Sequence, residues 1–179
     1  LSINLIKKHF FSNNRNNTIP VIVVGNLTVG GTGKTSLVIW LCNYFSSRKY
    51  NIAVISGGYK TTDPNKIQIV DKDSKANEVG DEAILIGKKT QSIVCKCKNR
   101  KLAYEFLVKN YKLDFIISDD GLTHYKLNRN LNIVIVKENK PFGNGLVLPA
   151  GPLRELPSSI NNYDNVIFNK SKKSNVSGF

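Results

Sequence analysis

The chain has 179 residues, 41% of them hydrophobic and 22% charged, which is the make-up of a folded domain and excludes a mostly disordered polymer. That length allows one α/β domain with a real core rather than two complete ones. The net charge of +13 raises the question of an anionic partner, while no apolar run reaches the roughly 18 residues a membrane-spanning helix needs.

At the start, Ile3, Ile6 and Phe10 follow helical spacing beside Lys7 and Lys8, and Asn13 to Thr18 is a polar linker. Residues 1–18 therefore read as a separate amphipathic segment, either lying on a membrane surface or packed on the body of the domain. They lack the apolar stretch and small-residue cleavage site of a signal peptide. Met is absent even at position 1, so the natural N-terminus is not given. Pro20 to Gly25 (PVIVVG) is a continuous apolar run, as in a parallel strand buried on both faces. Ser36 to Phe45 (SLVIWLCNYF) is apolar nearly all round and predicts a buried helix.

Ile52 to Ser56 and Ile67 to Val70 are expected strands. Asp81 to Lys88 is an expected short helix with its acidic residues in the first turn, where the helix dipole favours them. Ser92 to Cys95 predicts a strand, Arg100 to Asn110 an amphipathic helix, and Asp114 to Ser118, Leu131 to Val136 and Asn165 to Phe168 further strands. Such alternation predicts an α/β fold with a doubly wound, mostly parallel sheet. Residues 19–157 would form the main domain, and 158–179 the last strand and the start of a C-terminal part that is cut short.

Of the 26 basic residues 21 are Lys, scattered singly apart from a few pairs, so compositional drift explains the charge better than a nucleic-acid surface. Cys42 lies in the apolar helix pattern and Cys95-Lys96-Cys97 alternates as a strand would. Three cysteines fit a reducing compartment, and one C-x-C lacks the further ligands of a zinc site.

The strongest chemical signal is Val24-Gly-Asn-Leu-Thr-Val-Gly-Gly-Thr-Gly-Lys-Thr35. It follows a buried strand and opens a helix, the setting of a phosphate-binding loop. Backbone amides from Thr28, Val29, Gly30, Gly31, Thr32 and Gly33 would cradle phosphates at the helix N-terminus. Lys34 would reach the β- and γ-phosphates of ATP, and the Thr35 hydroxyl would bind Mg²⁺. One departure stands out, since the usual pattern has Gly where this chain has Thr28. In Asp114-Phe-Ile-Ile-Ser-Asp119-Asp120-Gly-Leu-Thr-His124, an apolar strand delivers two carboxylates to the sheet edge where open α/β folds bind ligands. Asp119 and Asp120 are thus candidate Mg²⁺ ligands, and His124 either packs, caps or acts on substrate. Asp81 is a helix cap or a carboxylate that takes a proton from an attacking hydroxyl. The Gly- and Pro-rich run Pro141 to Glu155 is a binding loop whose one cation, Arg154, suits a phosphate.

Together the runs VIVVGNLTVGGTGKTSLVIWL, ISGGY, VGDEAILI, DFIISDDGLTHYKL and FGNGLVLPAGPLRE, in order from Pro20 to Glu155, resemble the tetraacyldisaccharide 4'-kinase family, the lipid A 4'-kinases of Gram-negative bacteria. The resemblance implies a P-loop NTPase-type fold. It also implies transfer of the ATP γ-phosphate to the 4'-hydroxyl of a tetraacylated disaccharide 1-phosphate, with Mg²⁺. The protein would be peripheral at the cytoplasmic face of the inner membrane, its partners the lipid A precursor and the membrane surface, with no nucleic acid. Asp81 is then the general base, Lys34 the catalytic lysine, Thr28 to Thr35 the nucleotide site, Thr35, Asp119 and Asp120 the metal site, and His124 and Arg154 substrate residues.

The chain departs from the family at Gly57 and Leu146, where Arg is usual, at Lys60, where Gly is usual, and at Thr123, where Gln is usual. Two missing guanidinium groups would weaken charge stabilisation. The family's C-terminal part, with a histidine partner for the base, has no counterpart in the chain. Two other readings stay open: a partitioning- or cargo-type switch ATPase with a G-G-x-G-K-T loop, and a truncated relic that binds nucleotide without turnover.

Overall fold

The computed structural model describes residues 18–59, 61–124 and 126–170. The expected helix of Leu1 to Phe11 lies outside them. The described residues form seven strands, β1 (Val21–Asn26), β2 (Ile52–Ser56), β3 (Gln68–Ile69), β4 (Ile93–Lys96), β5 (Phe115–Asp119), β6 (Leu131–Lys137) and β7 (Asn165–Asn169). Among the described residues four α-helices connect them, α1 (Lys34–Ser46), α2 (Ala76–Val79), α3 (Asp81–Lys89) and α4 (Arg100–Asn110). The strands make one sheet in the order β3-β4-β2-β5-β1-β6-β7. Every pairing is parallel except β3 with β4, which is antiparallel.

Alternation within the buried strands separates two cores. Ile22 and Val24 of β1 face one way, with Val54, Ile117 and Ile133, and are covered by Val38, Leu41, Cys42 and Phe45 of α1 and by Ala83 and Ile86 of α3. Val21 and Val23 face the other way, with Ile55, Ile116 and Val134, under Ala103 and Leu107 of α4. Helices on both faces are what makes the central strands apolar throughout.

The expectation of a helix buried all round is corrected at α1. Its buried residues recur at positions 38, 41, 42 and 45, a single stripe against the sheet. Trp40 is 52% exposed and stacks on Tyr44 at 5.2 Å. The Arg48 guanidinium lies over that Tyr44 ring. A helix laid on one face of a sheet has only that stripe to bury. The expected strand at Ile67 to Val70 shrinks to the two residues of β3, and α2 and a 3-10 turn at Pro157–Asn162 fall in stretches with no periodic pattern.

What positions the site is the crossover. β1 and β2 are consecutive in the chain, yet β5 lies between them, with Val24 in register with Asp119. The C-terminal ends of β1 and β5 therefore open side by side at the switch point, where α/β sheets bind ligands.

Candidate active site

The loop after β1 carries the phosphate-binding pattern, and its backbone has the conformation that pattern requires. Gly30 and Gly33 have φ of 102° and 94°, values a side chain resists, and Gly33 is also the residue preceding α1. A Cβ at Gly30 or Gly31 would meet no atom within 4 Å, so this stretch faces open space. The missing Gly at Thr28 has a physical reason. Thr28 keeps a negative φ and pairs with Leu153 as an isolated antiparallel bridge. Around it the Val29 amide donates to the Pro152 carbonyl at 2.8 Å and the Arg154 amide to the Leu27 carbonyl at 2.7 Å. The Gly- and Pro-rich loop is thus stitched to the phosphate loop and brings Arg154 to it.

Lys34 begins α1. Its ammonium donates to Asn26 Oδ1 at 2.9 Å and lies 3.7 Å from Asp120 Oδ1. The amide of Asn26 donates in turn to the carbonyls of Thr28 and Gly30, so one buried side chain ties the loop backbone to its lysine. Asp120 also pairs with Arg154 Nη1 at 2.8 Å and has a left-handed φ of 52°. Lys34, Asp120 and Arg154 form one chain of charges spanning three segments.

Asp119, last residue of β5, is 2% exposed. Its Oδ2 lies 3.5 Å from the Thr35 hydroxyl, and its Oδ1 has no hydrogen-bond partner among the described residues. Burial pushes this carboxyl up to about 7, with Glu82 adding to the rise and Lys34 opposing it. A buried carboxylate oxygen without a donor beside a hydroxyl is suited to a hard cation, so the residues fit Mg²⁺. Among the described residues no group of three His, Cys, Asp or Glu could hold a metal alone. Mg²⁺ usually takes one or two protein carboxylates and completes its shell with water and phosphate oxygens.

A cavity of about 310 Å³ gathers Asp119, Asp120, His124 and Arg154, together with Glu82 and Arg100. Burial, with Arg100 close by, holds the His124 imidazole below its ordinary value, which favours its neutral form. Asp81 lies elsewhere. It is exposed and lines an adjoining cavity of about 340 Å³, which shares Gly58, Tyr59 and Glu82 with the first. Gly80 occupies the cap of α3 without a side-chain hydrogen bond, so capping does not explain Asp81.

Three residues here were given no role from the sequence. Asn26 left a faint trace, a polar residue closing an apolar strand. Glu82 was in view only as the neighbour of Asp81. Arg100 had a better signal, since a cation in the first turn of a helix opposes the dipole and calls for a partner. It is 3% exposed and donates to the carbonyls of Cys97 and Asp119, both at 2.8 Å. A Cβ at Gly57 would lie 2.9 Å from Arg100 Nη2, so the glycine leaves room for this guanidinium.

Comparison with known proteins places this geometry. Residues 2–178 match the model of the tetraacyldisaccharide-1-P 4'-kinase family. The chain is similar to the tetraacyldisaccharide 4'-kinase of Haemophilus influenzae, with 47% identity over 86% of this chain and 46% of that one. The Pasteurella multocida protein of the same name is 46% identical over 91% of this chain and 50% of its own length. Among solved structures, the "apo" form of LpxK from Aquifex aeolicus in complex with ATP superposes with a TM-score of 0.77 at 30% identity, over 99% of this chain and 55% of that chain. The chain spans about half the length of the curated relatives it matches.

Proposed function

The chain belongs to the tetraacyldisaccharide-1-P 4'-kinase family, and we propose that it carries the nucleotide side of an ATP-dependent transfer of phosphate to the 4'-hydroxyl of the tetraacyldisaccharide 1-phosphate. The observation that carries this reading is the convergence of the phosphate loop, the Asp119–Asp120 pair and Arg154 at the ends of β1 and β5. ATP would lie with its β- and γ-phosphates against the amides of Gly30 to Gly33 and the Lys34 ammonium, the Val29 amide being held by the Pro152 carbonyl and Thr28 by its bridge to Leu153. Lys34 would then exchange Asp120 for phosphate oxygens while Asn26 Oδ1 keeps it in place. Thr35 and Asp119, with Asp120 beside them, would hold Mg²⁺. Bound there, Mg²⁺ neutralises charge on the phosphate oxygens.

In the transfer, the acceptor oxygen attacks the γ-phosphorus, the bond from that phosphorus to the β–γ bridging oxygen breaks, and ADP leaves with the electron pair. The acceptor proton passes to a carboxylate. Asp81, at the start of α3 and facing the adjoining cavity, is the base in this reading, and Glu82 lies between the two cavities. Catalysis is then mainly positioning and charge stabilisation. Arg154 and His124 would meet the acceptor side.

Among the described residues no helix is long and apolar enough to cross a membrane. A peripheral position at the cytoplasmic face of the inner membrane, with the lipid A precursor as partner and no nucleic acid, completes the proposal. The test is transfer of label from γ-labelled ATP to the tetraacyldisaccharide 1-phosphate in detergent micelles. Labelled bisphosphorylated lipid is expected from the chain and a loss of about 100-fold or more from Asp81→Ala. Mg·ATP binding without any labelled lipid would reduce the chain to a nucleotide-binding module, and equal rates in both proteins would remove Asp81 as the base.

A further inference from the structure

The loop that brings Arg154 to the site also carries an uncovered apolar run. Leu146, Val147, Leu148, Pro149 and Ala150 are consecutive and all exposed, Leu146 at 52% and Leu148 at 51%. Several exposed apolar residues in a row are unfavourable unless something covers them. The loop is closed on itself. The Leu146 amide donates to Asn144 Oδ1 at 3.1 Å, and Asn144 Nδ2 donates to the Ala150 carbonyl at 3.1 Å. The Leu148 amide donates to the Leu153 carbonyl at 2.8 Å, the Gly151 amide to the Val147 carbonyl and the Leu153 amide to the Leu146 carbonyl, both at 3.1 Å. A Cβ on Gly151 would run into the Leu146 carbonyl, and one on Gly143 into the Pro152 ring. Backbone thus fills the space beneath the run, and these side chains have no core to turn into. Pro149 and Pro152 have no N–H, so most of the loop's backbone donors are bonded internally, as an apolar medium demands.

Charge and position say what covers the run. From Asn139 to Arg154 there is no Asp or Glu, and the exposed Lys137 and Lys140 stand on the approach to the loop. An apolar tip flanked by cations and free of carboxylates suits an anionic lipid surface. Leu148 is bonded to Leu153, Leu153 is bridged to Thr28 of the phosphate loop, and Arg154 beside it lines the transfer cavity. In the 4'-kinase reading the acceptor is a tetraacyl lipid, whose hydroxyl must reach the γ-phosphate while its chains stay in hydrocarbon. An apolar tip next to the site meets that need. At Leu146, where the family usually has Arg, this chain makes the tip apolar from end to end.

We propose that Leu146 to Ala150 enters the bilayer at the boundary of headgroups and acyl chains, and thereby seats the transfer site on the membrane. The proposal deepens the 4'-kinase reading and rests on it for the choice of a bilayer as occupant. Leu146 and Leu148 supply the apolar contact, and Lys137 and Lys140 the attraction to anionic headgroups.

The test uses the whole chain with vesicles of mixed phosphatidylcholine and phosphatidylglycerol and no disaccharide. The chain has a single tryptophan, Trp40 on α1, so Trp40→Phe combined with Leu148→Trp puts the sole indole on the tip. On vesicles its emission should shift to the blue and be quenched by lipids brominated on their acyl chains. L146S/L148S should bind vesicles about tenfold or more weakly, while Mg·ADP affinity and melting temperature stay as in the wild type. Unquenched emission from vesicle-bound protein overturns the proposal, as does equal vesicle binding by L146S/L148S, since either gives the membrane contact to another part of the chain. Self-association that L146S/L148S abolishes, with no vesicle binding by the wild type, would make the run a protein interface instead. With no disaccharide present, the outcome is separate from that of the kinase reading. Label transfer in detergent micelles without vesicle binding would strike the loop alone, and vesicle binding through the loop without label transfer would strike the kinase reading alone.

Discussion

Lys96 on β4 and Asp119 on β5 flank β2 and stand at the same edge of the sheet, each a charge removed from solvent. Their surroundings differ. The Lys96 ammonium donates to the carbonyls of Asp63 and Lys66 and to Gln68 Oε1, and its stem fills the space over Gly58, where a Cβ would lie 2.5 Å from Cε. Asp119 has one oxygen 3.5 Å from the Thr35 hydroxyl and one with no donor among the described residues. Burial lowers the lysine and raises the aspartate. A buried charge with its bonds satisfied pins structure, here the loop from Asp63 to Gln68. One left unsatisfied stores a demand for a cation, and the unmet bond separates the functional charge from the structural one.

The largest effect that would sharpen this contrast is expected at Asp119. Its carboxyl rises from an ordinary 3.8 to about 7 on folding, so the protonated form is favoured in the folded state. The associated stability is complete below the lower value and is lost as pH rises through the higher one. Asp119→Asn, neutral at every pH, should flatten that fall in thermal stability between pH 4 and 7. Mg·nucleotide affinity of the wild type should rise over the same interval as the carboxylate becomes available, and the variant should lose that rise. Transfer should drop by about 1,000-fold, the scale of removing a preorganised charge contact. Thermal denaturation across pH, with and without Mg·ADP, measures all but the rate. A pH slope identical in the variant would break the contrast at its functional end.

Lys96→Met tests the structural end and should be smaller. It keeps most of the buried stem but leaves two carbonyls and a side-chain amide without their donor, at about 2–4 kcal/mol in total. For a domain of this size that is roughly 5–10 °C in melting temperature. Mg·nucleotide affinity should change less than twofold, since the lysine touches neither the phosphate loop nor Asp119. A large loss of nucleotide affinity at unchanged stability would place Lys96 with the functional charges.

The unequal legibility of these two residues follows from range. Asp119 was readable because its signal is local: an apolar strand running into carboxylates, behind a glycine-rich loop. The bounds of α4 were readable for the same reason, an amphipathic run, and in the structure the Asn99 side chain caps its start. For Lys96 the sequence shows only a Cys-Lys-Cys run that alternates as a strand would. What covers that face is a loop some 30 residues earlier, and closure of that kind leaves no periodic mark. The cysteines turned out to be packing residues, burial holding the thiols of Cys42 and Cys95 up at about 11 and about 12. The stripe of α1 was missed because apolar residues on both its faces hide which one meets the sheet.

Asn26 falls between the two cases and should give the smallest effect. Like Lys96 it is buried with its bonds made, at 2% exposure, yet the group it holds is Lys34, the lysine proposed to meet the phosphates. Asn26→Ala removes both the acceptor for Lys34 and the donor to the loop carbonyls, and should weaken ATP binding about tenfold while costing about 1 kcal/mol of stability. Asn26→Asp separates the two jobs. It keeps an acceptor for Lys34 but loses the donor to Thr28 and Gly30, and its charge competes with the phosphates for the ammonium. Binding should therefore fall at least as far in Asp as in Ala, although Asp preserves the lysine's partner. Titration of ATP against both variants and the wild type decides it. If Ala lowers the melting temperature and leaves ATP affinity alone, Asn26 holds the loop as Lys96 holds its own, and Lys34 finds its place without help.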